Sequence, residues 1–245
     1  MPSPLRPPHC TRAIRGLTSA ALLVACASKP APPPPAASDP GLIAALRATV
    51  PLNPIAVADD PYRTWAGRTP VPPPSGTVCG VHFEADRVHY RLETFATETE
   101  ARELGYAVTH LGACGACSTM QDLAVYLERP DLTAPVRRCG MMSASGNLEC
   151  LIALGFSEPC ARIWFFNTQN TRRECFGVCV RAWMSDEPST HPDGSLNDCL
   201  QCDEDRSGPV FKAVAGRTRR NSGIPSSIQR HDEEMAHVVH DYVPR

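Results

Sequence analysis

Along residues 77–95 apolar and polar positions alternate, with Val81 and Phe83 on one side and Val88, Tyr90 and Leu92 resuming after the break Asp86-Arg87. A period of two interrupted by two polar residues predicts a β-hairpin. Residues 107–111 read as a third strand. Between them Thr97 can cap a short helix through Leu104, with Glu98 and Glu100 in its first turn and Gly105 as its stop. Ser118 can cap a further helix to about Glu128.

Helical periodicity returns at residues 150–156, ended by Gly155. Ser157-Glu158-Pro159 then restarts a helix, because a proline at its first turn loses no hydrogen bond. That helix, residues 160–183, repeats Cys160, Trp164, Thr171, Cys175 and Cys179 at helical spacing, with a bend expected near Gly177. Residues 184–206 read as a polar loop. Pro209 opens a helix to Arg220, and Pro225 opens a last one through Tyr242. Upstream, residues 51–76 are rich in proline and read as an irregular segment pinned by Tyr62 and Trp65. The expected class is mainly α (α+β): about six helices with a small antiparallel hairpin or three-strand sheet.

The N-terminal pattern is of another kind. Residues 1–26 lack Asp and Glu, carry Arg6, Arg12 and Arg15, and continue into a short apolar run at 17–25. That is the form of a secretory signal, too short for a permanent membrane span. The run ends in Leu23-Val24-Ala25-Cys26, which resembles a bacterial lipobox. The resemblance implies cleavage after residue 25 and acylation of Cys26, and the absence of Asp at Ala27 and Ser28 favours the outer membrane. The consecutive prolines of residues 28–40 predict an extended tether. The organisation expected is signal peptide 1–25, lipid anchor and tether 26–50, and one cysteine-rich globular domain 51–245.

Charge narrows the choice of partner. Loss of the three signal arginines leaves 21 of the 24 basic residues against 26 acidic ones, so bulk charge excludes a nucleic-acid binder. The partners expected are the membrane, through the anchor, and an unidentified envelope ligand or protein. No cofactor is expected.

Cysteine carries most of the information. Of twelve, Cys10 lies in the signal and Cys26 is the anchor. The rest are Cys79, Cys114, Cys117, Cys139, Cys150, Cys160, Cys175, Cys179, Cys199 and Cys202, an even number suited to a disulfide framework in an exported chain. Roughly 900 pairings of ten thiols exist, so connectivity stays open.

Three clusters carry candidate chemistry. Cys114-Gly115-Ala116-Cys117 follows a strand and opens a helix, a placement that resembles the thioredoxin active site and implies a redox pair. No Trp precedes it and eight other cysteines surround it, so separate structural bridges are the first reading. Joined to Cys199 and Cys202, the pair could instead bind zinc. His237 and His240 lie three apart on the expected last helix near Glu233, Glu234 and Asp241, an arrangement that could hold a metal. Lys212, Arg217, Arg219, Arg220 and Arg230 form a basic stripe able to clamp an anion. No GxSxG, SxxK, HExxH or P-loop pattern is present. The expectation is a lipid-anchored, disulfide-stapled binding or structural module, with an envelope thiol–disulfide oxidoreductase or a metal-binding protein as alternatives.

Overall fold

The computed structural model describes residues 39–228 and 235–242. Cys26 and Arg230, both candidate site residues, lie outside them.

The first element is α1 (Pro40–Arg47), so the folded region begins within the stretch expected as tether. Asp39 caps this helix by accepting from the Gly41 N–H, Pro40 occupies its first turn, and Ile43 and Leu46 are buried one turn apart. The prolines around it hid a short Leu-Ile-Ala-Ala-Leu run. β1 (Val50–Pro51) and α2 (Pro61–Thr64) follow. Asp60 caps α2, and Tyr62 is buried as expected.

The hairpin forms as β2 (Val78–Phe83) and β3 (His89–Phe95), antiparallel in the register Val81 opposite Leu92. Next come α3 (Glu98–Glu103), capped by Thr97, and β4 (Ala107–Leu111), antiparallel to β2. The sheet has four strands in the order β1-β3-β2-β4, because β1 joins β3 in parallel. Two residues of pairing leave too little alternation to be read from sequence.

The helical part contains α4 (Met120–Glu128), α5 (Thr133–Gly140), α6 (Ala144–Ala153), α7 (Glu158–Met184), α8 (Asp198–Arg206) and α9 (Gly208–Ala215). Among the described residues there are therefore nine α-helices, more than the six expected, and the mixed α+β class stands. α7 runs unbroken for 27 residues, and Gly177 does not bend it. Asn197 starts α8 inside the expected polar loop by accepting from the Leu200 N–H. α9 stops early at Gly216, whose φ of 71° is open to glycine, and only a 3-10 turn follows at Arg220–Ser222. Residues 235–242 are not helical. They have no regular secondary structure and lie against the 3-10 turn, the Ala236 N–H donating to the Arg220 carbonyl.

One core joins sheet and helices. Tyr90 from β3, Met120 and Leu123 from α4, Leu151 from α6 and Ile163 from α7 are sealed within it, with Leu46 of α1. Five disulfides bind the parts: Cys79–Cys114, Cys117–Cys160, Cys139–Cys150, Cys175–Cys202 and Cys179–Cys199. The last two are rungs between α7 and α8, joining cysteines one turn apart on each helix. This density of crosslinks points to an exported or otherwise oxidising setting. No helix of the described residues is long and apolar enough to cross a membrane.

Candidate functional site: an apolar groove beside a sealed polar core

The CGAC stretch is not a redox pair. Cys114 is bonded to Cys79 on β2 and Cys117 to Cys160 on α7, whereas a thioredoxin-type couple must bond to itself. The spacing has a packing cause. The chain here runs along the end of α9, with the N–H groups of Ala116 and Cys117 donating to the carbonyls of Val214 and Ala215, both at 2.9 Å. A Cβ on Gly115 would lie 2.5 Å from the Val214 carbonyl oxygen, so the position admits only glycine. Cys199 and Cys202 are likewise bonded to α7, which removes the four-thiolate zinc site.

Arg217, expected in an anion clamp, is completely buried. Its guanidinium donates to the carbonyls of Cys117, Ser118 and Thr109 and to the hydroxyls of Thr109 and Ser222, at 2.6–3.3 Å. With its donors spent inside the fold, it ties the CGAC segment and β4 to the chain after α9. Arg219 also turns inward, onto the carbonyls of Tyr126, Arg129 and Pro225. Lys212 pairs with Glu204 at 3.1 Å. Three of the five residues of the expected stripe are thus engaged within the fold.

His110 lies against Arg217. Its Nδ1 is 2.9 Å from the Leu111 carbonyl, which can only accept, so Nδ1 carries the proton and Nε2 accepts from the Ser118 hydroxyl at 2.7 Å. Burial, and then the Arg217 charge, push its pKa down to about 3. This is the hydrogen bond of a serine activated by histidine, yet both side chains are fully buried and the Ser118 oxygen also accepts from the Gly115 N–H. A nucleophile needs access, and the pair is structural. Ser118 is thereby unavailable as a cap, and Thr119 caps α4 instead.

The C-terminal histidines do not converge. His240 binds the Tyr242 hydroxyl and the Ser222 carbonyl, both at 2.9 Å, and burial followed by Arg217 lowers its pKa to about 4. His237 is exposed on the same segment. Among the described residues no group of three or more His, Cys, Asp or Glu could hold a metal ion.

What the fold leaves open is a groove of about 450 Å³ between α5, α7, α8 and α9. Its apolar lining includes Leu132 and Val136 from one wall and Leu200 and Phe211 from the other. Along α7 the stripe Phe176, Val180 and Trp183 follows i, i+4, i+7 spacing. Phe176 and Trp183 remain 61% and 62% exposed, unusual for large aromatics in a closed domain. At the deep end Trp164 lies 4.5 Å from Phe211 and 5.9 Å from Phe156, ring centre to ring centre.

The groove's polar groups are ordered differently at its two sides. Asp203 accepts from Asn167 and Thr171, and Asn167 in turn accepts from the buried Tyr62 hydroxyl at 2.7 Å. Across from them, the Tyr126 hydroxyl and the Trp164 indole N–H are sealed from solvent and act on each other, with no third group bonded to either among the described residues.

Residues 144–238 match a family model described as a family of unknown function (DUF8771). No curated protein and no solved structure matches the chain. The matched stretch contains α6 through α9, the cysteines of the α7–α8 rungs, and Trp164, Phe176 and Trp183 of the groove. The sheet, α4 and α5 lie outside it.

Proposed function

We propose that this chain is an envelope lipoprotein acting as a non-enzymatic binding module, anchored through Cys26 and receiving an apolar ligand in the groove of α5, α7, α8 and α9. The observation that carries this reading is the groove itself. A volume of about 450 Å³ is of the size that holds small ligands, and exposed aromatics at its mouth are costly to leave in water without a purpose. A purely structural module would have no need of such a surface. The sealed Ser118–His110 pair and the absence of a self-bonded CGAC pair favour binding over catalysis.

The test is titration with the uncharged fluorophore N-phenyl-1-naphthylamine. One saturable site is expected, lost in Phe176→Asp/Trp183→Asp, whose exposed positions let the fold stand. Equal, unsaturable binding by both proteins would refute the groove as a ligand site.

A further inference from the structure

We infer that the rim of the groove docks on an anionic phospholipid surface, through Arg137 and Met141 at the end of α5 and Arg172, Phe176 and Trp183 along α7. This rests on the lipoprotein reading above for the presence of a bilayer, and not on the groove's guest.

Charge singles out the rim. The acids that line the groove have their counterparts: Asp203 accepts from Asn167 and Thr171, Glu204 pairs with Lys212, and Asp131 accepts from the Thr133 N–H and acts on Arg219. Arg137 and Arg172 are exposed and face no such partner among the described residues. Their two walls meet close by. Gly140, one turn from Arg137, lies against Thr168, one turn from Arg172, and a Cβ added to that glycine would meet the Thr168 side chain at 3.4 Å. Residues 133–140 and 172–184 together hold five arginines and one glutamate, and that Glu174 is paired with Arg173. The chain as a whole holds 24 basic residues against 26 acidic ones, so the rim is a basic patch on an acidic protein.

The same rim carries the exposed apolar groups. Phe176 and Trp183 stand largely in solvent, Met141 is 55% exposed, and Met184, next to Trp183, is 77% exposed. Large apolar side chains and guanidinium groups on one surface suit a bilayer interface. The rings and thioethers enter the head-group boundary while the cations stay with the phosphates. Tryptophan is favoured there because its ring is apolar and its N–H keeps to the polar layer.

The tether allows this face to be used. From Cys26 to Asp39 is 13 residues, a contour of at most about 45 Å, and a domain of about 200 residues is about 40 Å across. A domain so anchored can turn any face to the lipid, and the face that settles is chosen by its own chemistry. With two arginines and a few apolar side chains the contact is reversible and weakened by salt, so it orients an anchored domain rather than anchoring it. Held in this way, the groove opens at the bilayer, and an apolar guest passes to and from the lipid without crossing water.

The test uses the mature chain of that reading, residues 26–245 with Cys26→Ser so that no acyl chain contributes. It is sedimented at low salt with vesicles of phosphatidylcholine, or of phosphatidylcholine and phosphatidylglycerol in equal parts. Binding to the second is expected to be at least about tenfold tighter and to fall as salt rises. Brominated lipid chains should quench the tryptophan fluorescence, and Trp183→Phe should remove most of that quenching. Arg137→Glu/Arg172→Glu, whose exposed positions let the fold and its melting temperature stand, is expected to lose the preference for phosphatidylglycerol while still binding N-phenyl-1-naphthylamine in lipid-free buffer. Equal binding to both vesicles, or an arginine variant that binds as the parent does, overturns the inference. So does a lipid-free dimer that the arginine variant dissolves, since the rim then serves a second copy. Vesicle binding without a site for the probe would refute the groove's guest and leave this surface standing; a site for the probe without vesicle binding would do the reverse.

Discussion

At the scale of single residues the sealed polar core makes stability depend on pH. His110 and His240 have pKa values lowered to about 3 and about 4, and Asp122 has one raised to about 6, each mainly by burial. Below pH 6.5 the unfolded chain binds protons at both imidazoles that the folded chain refuses, so each histidine's contribution is lost as pH falls. Asp122 acts oppositely: the folded chain takes up its proton near pH 6 and the unfolded chain only near 4, so stability is gained as pH falls through that window. Two losses against one gain leave stability declining on balance as pH falls from 6 to 4. Urea midpoints measured across that range should show it, and His110→Gln, though less stable at pH 7, should flatten the slope. An unchanged slope would contradict the assignment of that proton.

At the scale of elements, legibility followed local signals. β2, β3, β4, α3 and α7 were readable because alternation, a Thr97 cap and the Ser157-Glu158-Pro159 start lie within the segments they form. α1, α5 and α8 were not. Proline-rich surroundings masked α1, and the charged run of α8 gains its helix from Asn197 and from two rungs to α7 that no window of sequence displays. Over its described residues the expected last helix does not form, for the converse reason, since Ala236, His240 and Tyr242 satisfy their polar groups on Arg220, Ser222 and Thr109. The groove was illegible because four helices distant in sequence supply its walls, although the Phe176, Val180, Trp183 spacing was there to see. CGAC misled because its spacing serves a backbone crossing. Of the missed elements α1 is the easiest to test. Leu46 is fully buried in the shared core, so Leu46→Ala should cost about 2–5 kcal/mol by denaturant unfolding. A surface tether would register nothing.

At the scale of the whole molecule, the anchor and the groove divide the work in the proposed reading. In that reading acylation at Cys26 would hold the chain at the lipid surface, since several chains on one residue bind far more firmly than one. The folded region from Asp39 onward makes no bridge to that thiol, its ten cysteines being paired among themselves. Cys26→Ser should therefore move the protein from the membrane fraction to the soluble one with its melting temperature unaltered, as fractionation and thermal denaturation would show. A variant that stayed with the membrane would count against the anchor.

The two rungs between α7 and α8 bear on how the cleft breathes. Bonded twice within one turn, these helices form the more constrained wall, whereas α5 opposite carries a single bridge, Cys139–Cys150, to α6 and is otherwise held by packing of Val136 in the core. In the proposed reading, adjustment to a bulkier guest is expected on the α5 side, since the α7–α8 side is the one crosslinked twice.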